Sequence, residues 1–422
     1  MSLMKEGYKK RIIDEKIKKN LEIFGAISIE GPKWCGKTWT ALNHANSVVY
    51  LNNVSNNFNE RKLAQMNVDL ILNKEEPELI DEWQEVPSIW DGIRYKCDED
   101  NKKGKYILTG SSVPVTKDIH HSGAGRICRM KMYTMSLYES GDSSGDVSVQ
   151  DLFKNNIKDK LTGKVDLREI IRLIIRGGWP QSIETNEEQS LELVQSYIND
   201  VLNFDITNID GMNRDINKMR MILRSLARNE STISTNSKII QDVNDDNDIA
   251  SRNTILDYID VLEKLHLIEN QIAFSINLRS SSRVGKISKR HFTDPSLVCG
   301  ILGLTTEQLL NDVNFLGFLF EALCERDLRI YIESYNGNLY HFRDNTTGLE
   351  IDSILEMPNG DYGAIEIKLG TNMIEDAARN LLKFYDLSVK KPKFLCIISG
   401  LNEAIIRRPD GIYVIPITAL KN

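Results

Sequence analysis

The stretch GPKWCGKT, from Gly31 to Thr38, decides how the chain is interpreted, because it has the spacing G-x-x-x-x-G-K-[ST] of a phosphate-binding loop. The apolar run AISIE before it predicts a strand, and the segment from Thr38 to His44 predicts the start of a helix. A loop between a strand and a helix can hold an anion, since backbone N–H groups and the helix N-terminus present positive charge there. A chance match within a glycine turn is the alternative interpretation.

Each loop position has an expected part in holding a nucleotide with its magnesium ion. Lys37 is placed for the β- and γ-phosphates, and the hydroxyl of Thr38 is placed for Mg²⁺. Pro32 has no N–H and removes one donor from the loop, whereas the bulk of Trp34 can project away from the phosphates. The residues expected to hold ATP and Mg²⁺ are Gly31, Pro32, Lys33, Trp34, Cys35, Gly36, Lys37 and Thr38.

An acidic pair follows another apolar run farther along the chain, in EPELIDEWQEVP. Asp81 would hold magnesium through water, and Glu82 would orient or deprotonate the attacking water. A strand that simply leaves the core would show the same pattern. A third strand, YILTGSS, ends in Thr109, Ser111 and Ser112, any of which could sense the γ-phosphate by hydrogen bonding. The order of loop, acidic pair and polar strand end favours a site for nucleotide hydrolysis.

Length and composition indicate a globular protein of two or three domains. The chain has 422 residues, of which 41% are hydrophobic and 27% charged, and its net charge of −7 provides no general coat for nucleic acid. The six cysteines are far apart, without a C-x-x-C pair, which disfavours a zinc site. The polar, basic start and the lack of a long apolar run predict a cytoplasmic protein that does not bind membranes.

The order of apolar and helical stretches predicts four segments. Short apolar runs that alternate with helices predict a parallel α/β sheet over residues 1–150, ending in the polar stretch GDSSGDVSVQ. Helical spacing predicts a lid or connector over residues 151–235. Helix, turn, longer helix and hairpin predict a winged helix over residues 236–300, and residues 301–422 predict a separate small α/β domain.

A winged helix often contacts DNA through its second helix and a basic wing. The basic residues of the predicted wing are Arg279, Arg283, Lys286, Lys289 and Arg290. The acidic residues of the predicted second helix and its end are Asp257, Asp260, Glu263 and Glu269. Phosphate would be repelled by such a helix. DNA, a protein client and an intramolecular docking role therefore all stay open.

Several stretches together resemble the AAA-type ATPases of archaea and bacteria that carry a C-terminal domain of unknown function. These stretches are GPKWCGKTWTA, LIDEWQEVP, YILTGSS, HSGAGRICRMKMYTMSLYESG and RGGWPQSI, so the resemblance runs through nearly the whole chain. It implies an arginine beyond the polar strand end that reaches the γ-phosphate, for which Arg126 or Arg129 is the matching residue. A salt bridge is the alternative role for such a loop arginine. Ser111 stands where better-studied AAA proteins usually have a sensor asparagine.

The last segment contains the spacing D-x(13)-E-x-K, which joins Asp352 to Glu366 and Lys368, with Glu321 on the preceding predicted helix. Carboxylates and a lysine on two strands can gather a divalent ion and an activated water, as phosphodiester cleavage requires. This pattern resembles the PD-(D/E)XK nuclease fold, to which the C-terminal domain of unknown function 4143 is similar. A solvated strand face that carries Glu and Lys is the alternative, and such folds also persist as inactive binding modules.

The sequence as a whole predicts an α/β P-loop ATPase with a helical lid, a winged helix and a restriction-endonuclease-like C-terminal domain. Mg²⁺-dependent ATP hydrolysis would move or gate the modules that follow the ATPase domain. An ATP-regulated, metal-dependent DNA nuclease and a nucleotide-dependent scaffold with little turnover are the alternatives. A small-molecule kinase is less favoured, because nothing after the acidic pair resembles an acceptor pocket. The sequence leaves the oligomeric state open.

Overall fold

The computed structural model of the chain describes residues 3–112, 119–209, 211–244, 250–275, 287–344 and 346–422. They form two compact units. The first unit comprises residues 1–134, 203–214 and 261–266, and the second comprises residues 135–202, 215–260 and 267–422. This division differs from the four predicted segments, because the predicted lid, winged helix and C-terminal domain largely fall within one unit.

The first unit is a parallel sheet with helices. Its elements are α1 (Ile13–Ile23), β1 (Ala26–Glu30), α2 (Lys37–Leu42), β2 (Ser47–Tyr50), α3 (Asn59–Met66), β3 (Glu78–Asp81), α4 (Ser88–Asp100), β4 (Tyr106–Gly110) and β5 (Ile127–Lys131). Within the described residues, five strands lie in the order β2-β3-β4-β1-β5, and every pairing between them is parallel. The predicted parallel α/β sheet is therefore confirmed.

Buried apolar side chains explain why these short runs form central strands. Every residue of β4 is buried, as are the first four residues of β1, so both strands are enclosed on the two faces of the sheet. On one face, Trp83 and Trp90 are fully buried and their ring centroids lie 4.9 Å apart. This packing fixes the segment that follows β3, which is where the acidic pair lies.

The parallel register brings the expected site residues to one edge of the sheet. Glu30 pairs with Gly110, and Asp81 pairs with Thr109, so β1, β3 and β4 end side by side. The loop from Gly31 to Gly36 leaves that edge and leads into α2. The carboxyl ends of parallel strands are where α/β sheets bind ligands.

The second unit contains most of the helices and a mixed sheet. Its elements before the last sheet are α5 (Leu137–Ser140), β6 (Val147–Ser148), α6 (Val149–Lys154), β7 (Lys160–Leu161), α7 (Leu167–Arg176), α8 (Glu187–Asp200), α10 (Ile216–Arg228), α11 (Asn236–Asn244), α12 (Arg252–Lys264), β8 (Ile268–Gln271), β9 (Lys289–Phe292), α13 (Pro295–Leu302) and α14 (Thr306–Asn311); α9 (Ile206–Asn208) and the last residues of α12 belong to the first unit. The C-terminal elements are α15 (Val313–Glu333), β10 (Asn338–Arg343), β11 (Glu350–Glu356), β12 (Tyr362–Lys368), α16 (Ile374–Leu387), β13 (Leu395–Ser399), β14 (Ala404–Arg407), β15 (Tyr413–Pro416) and β16 (Leu420–Lys421).

The mixed sheet has the order β10-β11-β12-β13-β15-β14-β7 among the described residues. The pairings β10–β11 and β11–β12 are antiparallel, and the pairings β12–β13 and β13–β15 are parallel. In sequence, α15 precedes β10, and α16 lies between β12 and β13. The strand β7, from the predicted lid, pairs with β14 and so extends the sheet beyond the predicted C-terminal segment.

The polar stretch from Gly141 to Gln150 does not end the first unit, as its composition suggested. Val147–Ser148 forms β6, which pairs with β16. Ser148 then begins α6 with a capping box, because its hydroxyl accepts from Asp151 N at 3.0 Å and its own N–H donates to Asp151 Oδ2 at 3.1 Å. The small polar residues are therefore caps and turns within the second unit.

The region predicted as a winged helix contains α11, α12 and the antiparallel pair β8–β9 in the predicted order. Arg279, Arg283 and Lys286 of the predicted wing lie outside the described residues. Lys289 and Arg290 lie in β9, where Lys289 is buried. In the described part of the chain, no helix combines the length and the apolar character needed to cross a bilayer.

Candidate functional site

The loop between β1 and α2 closes tightly on itself. Gly36 caps α2 with φ of 101°, and Trp34 also has a positive φ of 71°. Gly31 approaches the chain so closely that a Cβ there would lie 2.1 Å from the carbonyl oxygen of Met132. Glycine is therefore required at Gly31 by contact and favoured at Gly36 by conformation. Such turns are typical of loops whose N–H groups form an anion-binding concavity.

Lys37 is buried and already points into the loop. Its ammonium donates to the carbonyl oxygens of Gly31 at 3.0 Å and Pro32 at 2.7 Å. A phosphate group could replace these carbonyls as the acceptor without a change in the lysine backbone. The other loop lysine, Lys33, instead forms an ion pair with Asp205 in the same unit.

Asp81 connects three elements at the carboxyl edge of the sheet. Its Oδ1 accepts from Thr38 Oγ1 at 2.7 Å and from Thr109 Oγ1 at 2.7 Å. Burial raises the pKa of Asp81 above its ordinary value, and the hydroxyls of Thr109 and Thr38 offset part of that rise. A carboxylate beside a threonine hydroxyl is a donor set that suits Mg²⁺, which prefers oxygen ligands.

Glu82 follows β3 in a left-handed conformation, with φ of 58° and ψ of 49°, and a 3₁₀ turn over Trp83–Glu85 comes next. This turn folds Gln84 back onto Glu82. The amide nitrogen of Gln84 donates to Glu82 Oε2 and, at 3.3 Å, to Ser111 Oγ. Ser111 Oγ in turn donates to the same Glu82 oxygen at 3.1 Å. The predicted catalytic and sensing residues, Glu82 and Ser111, are therefore in direct contact.

Two residues of this site gave no signal in the sequence. Gln84 lies in an unremarkable polar turn, and only the left-handed Glu82 brings it inward. Arg11 is buried, and its guanidinium donates to the carbonyl of Cys35 at 2.8 Å and to those of Tyr133 and Thr134 at 2.9 and 3.0 Å. Arg11 thus connects the phosphate loop with the segment after β5. A single sequence cannot reveal contacts over such separations.

The two arginines expected to reach the γ-phosphate each form an ion pair on or beside β5. Arg126 precedes β5, at the amino end of the strand that pairs with β1, and donates to Asp98 Oδ1 at 2.7 Å. Arg129 lies mid-strand, pairs with Glu30 at 3.2 Å and covers the ring of Trp90 at 4.4 Å. The loop leaves the carboxyl end of β1, opposite the end near Arg126, whereas Arg129 contacts Glu30, the residue immediately before the loop. Contact of Arg126 or Arg129 with the γ-phosphate stays a prediction, and the salt bridges are the contacts that the structure has.

Removal of the Lys37 ammonium tests the loop directly. We expect Lys37→Ala to weaken MgATP binding by roughly tenfold or more, because a charge-assisted contact to phosphate is lost. Calorimetric titration with MgATP measures this effect, and Lys62→Ala on the exposed face of α3 is the matched control. Equal affinity in Lys37→Ala and in the parent would remove the basis for a phosphate site.

The predicted C-terminal cluster is formed in part. Lys368 lies between Asp352 Oδ2 at 3.0 Å and Glu366 Oε2 at 2.6 Å, and the N–H of Ile367 donates to Asp352 Oδ2 at 2.8 Å. Glu321 on α15 forms its ion pair with Lys289. Within the described residues, no three acidic, histidine or cysteine side chains gather as a metal ion would require. Ammonium groups, instead, accompany these carboxylates.

Burial and mutual repulsion determine how these acids hold protons. Burial raises the pKa of Glu321 and of Glu366 to about 8, with the neighbouring Asp352 adding to both shifts. Burial also acts on Asp352, yet the ammoniums of Lys368 and Lys289 hold the pKa of that carboxyl below its ordinary value. Asp352 is therefore the ionised partner of the two lysines. Lys289, expected in a basic wing, is instead part of this buried cluster.

A chain of buried polar groups continues from β9 of the same unit. His291 contacts Glu230 Oε1 at 2.9 Å through Nδ1 and Gln271 Oε1 at 3.1 Å through Nε2. Gln271 Nε2 donates to Glu325 Oε2 at 2.6 Å. Burial raises the pKa of Glu230 to about 8 and lowers that of His291 to about 3, so both groups are uncharged when paired near neutral pH.

This burial predicts a pH dependence of stability. Because the pKa of Glu230 rises from 4.5 to about 8 on folding, its contribution to stability is present below about pH 4.5 and is lost as the pH rises towards 8. Glu230→Gln stays uncharged, so its melting temperature relative to the parent should rise by a few degrees between about pH 5 and 8. Melting curves across this range measure the difference. The exposed Glu188→Gln should follow the parent at every pH, and a parallel course for Glu230→Gln would contradict the assignment.

Comparison with known families agrees with this geometry. Residues 24–141 match the family model described as AAA domain. Residues 167–308 match a domain of unknown function (DUF8612), and residues 316–420 match another domain of unknown function (DUF4143). The chain thus has a region that matches the AAA domain and a C-terminal region that matches DUF4143. The DUF8612 region covers the predicted lid from residue 167 onward and all of the predicted winged helix.

Solved structures show more distant likeness. A Walker-type ATPase of Pyrococcus abyssi is 13% identical, with 71% of this chain and 98% of that chain covered and a TM-score of 0.46. AMPPCP-bound DnaA from Aquifex aeolicus is 16% identical, with 61% and 89% covered and a TM-score of 0.29. A search of curated proteins found no match.

Proposed function

We propose that the chain binds MgATP at the Gly31–Thr38 loop and hydrolyses it, with the hydrolysis acting on its DUF8612 and DUF4143 regions. The observation that carries this proposal is the contact of Asp81 with Thr38, which joins the phosphate loop to the acidic strand end. A chance glycine turn would have no reason to place the hydroxyl of Thr38, in α2, 2.7 Å from the half-buried carboxylate at the end of β3.

Each residue has a separate role in this proposal. Lys37 exchanges its loop carbonyls for β- and γ-phosphate oxygens, and the loop N–H groups bind the same phosphates. Thr38 and Asp81 are the residues that would hold Mg²⁺, which would neutralise charge on the β- and γ-phosphates when bound. Glu82 orients the attacking water and accepts its proton, while Ser111 donates to the γ-phosphate.

A substitution of Glu82 tests ATP hydrolysis separately from the binding of MgATP. Glu82→Gln retains the shape of the side chain but loses its ability to accept a proton, so hydrolysis should fall on the order of 10²-fold while MgATP affinity stays parental. Phosphate release and calorimetry measure the two quantities on the same preparations. The exposed Glu75→Gln serves as the control. Hydrolysis at the parental rate would assign the role of base to another residue.

For the C-terminal region, we propose a nuclease-shaped platform of the PD-(D/E)XK type that does not cut nucleic acid. The order α15, three antiparallel strands, α16 and a parallel strand supports the fold, and Asp352, Glu366 and Lys368 lie together at neighbouring strands. Lys289 supports the inactive form, because its buried ammonium takes the Glu321 carboxylate that a metal ion would need.

A protein client suits the middle region better than DNA does, although the helix, helix and hairpin order supports a winged helix there. Lys289 is buried in an ion pair and Arg290 donates to Asn236 at 3.1 Å, so neither projects freely as a wing cation. The helix α12 carries the acidic residues that would repel phosphate. ATP turnover measured alone and with duplex, branched or single-stranded DNA tests this choice, since stimulation by DNA would favour a nucleic-acid partner.

The substitution Asp352→Ala distinguishes an inactive nuclease-shaped platform from an active nuclease. We expect no cleavage of DNA by the parent with Mg²⁺ or Mn²⁺, and unchanged ATP hydrolysis in Asp352→Ala. The variant should melt a few degrees lower than the parent, because Lys368 and the N–H of Ile367 lose their acceptor. The exposed Asp386→Ala on α16 is the control. Metal-dependent cleavage by the parent that Asp352→Ala abolishes would establish a nuclease instead.

A further inference from the structure

The side-chain amide of Gln84 holds the Glu82 carboxylate and has no role in the hydrolysis as proposed above. Gln84 Nε2 has two hydrogens, and it directs them at Glu82 Oε2 and Ser111 Oγ. The opposite amide orientation would place the Gln84 oxygen against the Glu82 carboxylate, so the nitrogen must face inward. Gln84 therefore contacts both of the residues that would meet the attacking water and the γ-phosphate.

The space for this amide is built into the neighbouring strand. A Cβ on Gly110 would lie 3.0 Å from Gln84 Oε1 and 3.0 Å from Trp83 Nε1. Both of these polar atoms are buried without a hydrogen-bond partner among the described residues. A buried amide oxygen without a hydrogen-bond partner lowers the stability of the folded state. The contacts of the Gln84 nitrogen must therefore stabilise the inward position of this side chain. Gly110 leaves the room that this position needs.

The number of hydrogens on Ser111 and Gln84 determines which of them can remain hydrogen-bonded to Glu82. The Ser111 hydroxyl has one hydrogen, and it donates that hydrogen to Glu82. If Ser111 turns its hydroxyl to a γ-phosphate, Glu82 loses this donor at the moment when its orientation matters. Gln84 keeps a donor on Glu82 and at the same time offers a hydrogen to the freed oxygen of Ser111. A serine can then contact the phosphate while the carboxylate stays in place.

We infer that Gln84 is a positioning residue for ATP hydrolysis, which holds the Glu82 carboxylate while Ser111 turns to the γ-phosphate. This inference rests on the proposed function of the loop. Gln84 acts through Glu82 and needs no contact with the nucleotide. Loss of Gln84 should therefore lower kcat and leave the binding of MgATP unchanged, which a purely structural glutamine would not do.

Steady-state hydrolysis by Gln84→Ala and the similarly sized Gln84→Met tests the inference. We expect kcat to fall by about 10- to 100-fold in both, the effect of losing a hydrogen bond to a charged group, with KM for ATP and calorimetric MgATP affinity within about threefold of the parent. Gln65→Ala, exposed on α3, is the matched control and should have parental kcat and KM.

A compensating substitution gives a result that general damage cannot produce. In Gln84→Ala/Ser111→Asn, an asparagine at 111 supplies two N–H hydrogens, one for Glu82 and one for the phosphate, and occupies volume that Gln84→Ala vacates. We expect the double variant to recover at least about tenfold in kcat over Gln84→Ala.

The outcomes separate this inference from the proposed function. Parental kcat in both single variants would overturn the role of Gln84 and leave the proposed ATPase intact. Loss of MgATP affinity together with kcat in both single variants would make Gln84 structural, and an unrecovered double variant would equally count against positioning. A parent without ATP turnover would overturn the proposed function and this inference together, a result recognisable because no variant is needed to see it.

Discussion

The Asp81 carboxylate is the contact on which the candidate site depends. It ends β3, accepts the hydroxyl of Thr38 at the start of α2, and accepts the hydroxyl of Thr109 at the end of β4. Burial disfavours the charged form of Asp81, and the hydrogen bonds from these two hydroxyls stabilise that form at the edge of the sheet. The phosphate loop is thereby fixed to the strand that carries Glu82. Without this link, the loop and the acidic strand end would be neighbours only by topology.

The sequence predicted this part of the site because its information is local. A glycine loop between strand and helix, an acidic pair after an apolar run and a polar strand end are each visible within a dozen residues. Parallel strands then bring their carboxyl ends together without further information, as the pairing of Asp81 with Thr109 shows. The fold of the first unit and the placement of Thr38, Asp81 and Glu82 follow from these rules.

The features that the sequence did not predict depend on contacts between segments that are distant in the chain. Arg11 reaches Cys35 and Tyr133, and Gln84 is turned inward only by the left-handed Glu82. The chain leaves the first compact unit at residue 134 and not at the serine-rich stretch before residue 150, because such a stretch is equally typical of a linker and of a capped helix. Ser148 is a cap here because its neighbour Val147 pairs with Leu420, a partner that no local pattern reveals.

The hairpin strand β9 shows how a run of basic residues can be misinterpreted when the burial of each side chain is unknown. Its basic residues suggested an exposed wing, yet Lys289 and His291 point to the same face of the strand and both are buried. Lys289 meets Glu321 and His291 meets Glu230, so positive charge in this strand satisfies internal carboxyl groups. A buried lysine requires a charged partner, and a strand that carries one belongs to the core.

The two carboxylate centres of the chain differ in the donors that surround them, and this difference decides where a cation is expected. Asp81 accepts neutral hydroxyls, which stabilise its charge by hydrogen bonding but do not cancel it. Asp352, by contrast, accepts an ammonium from Lys368, and the ammonium of Lys289 also lowers its pKa. Glu321 and Glu366 lie nearby with pKa values raised to about 8, so they contribute little uncompensated charge near neutral pH. A divalent cation gains more at the first centre, because binding there neutralises a buried charge, whereas at the second it must first displace a lysine.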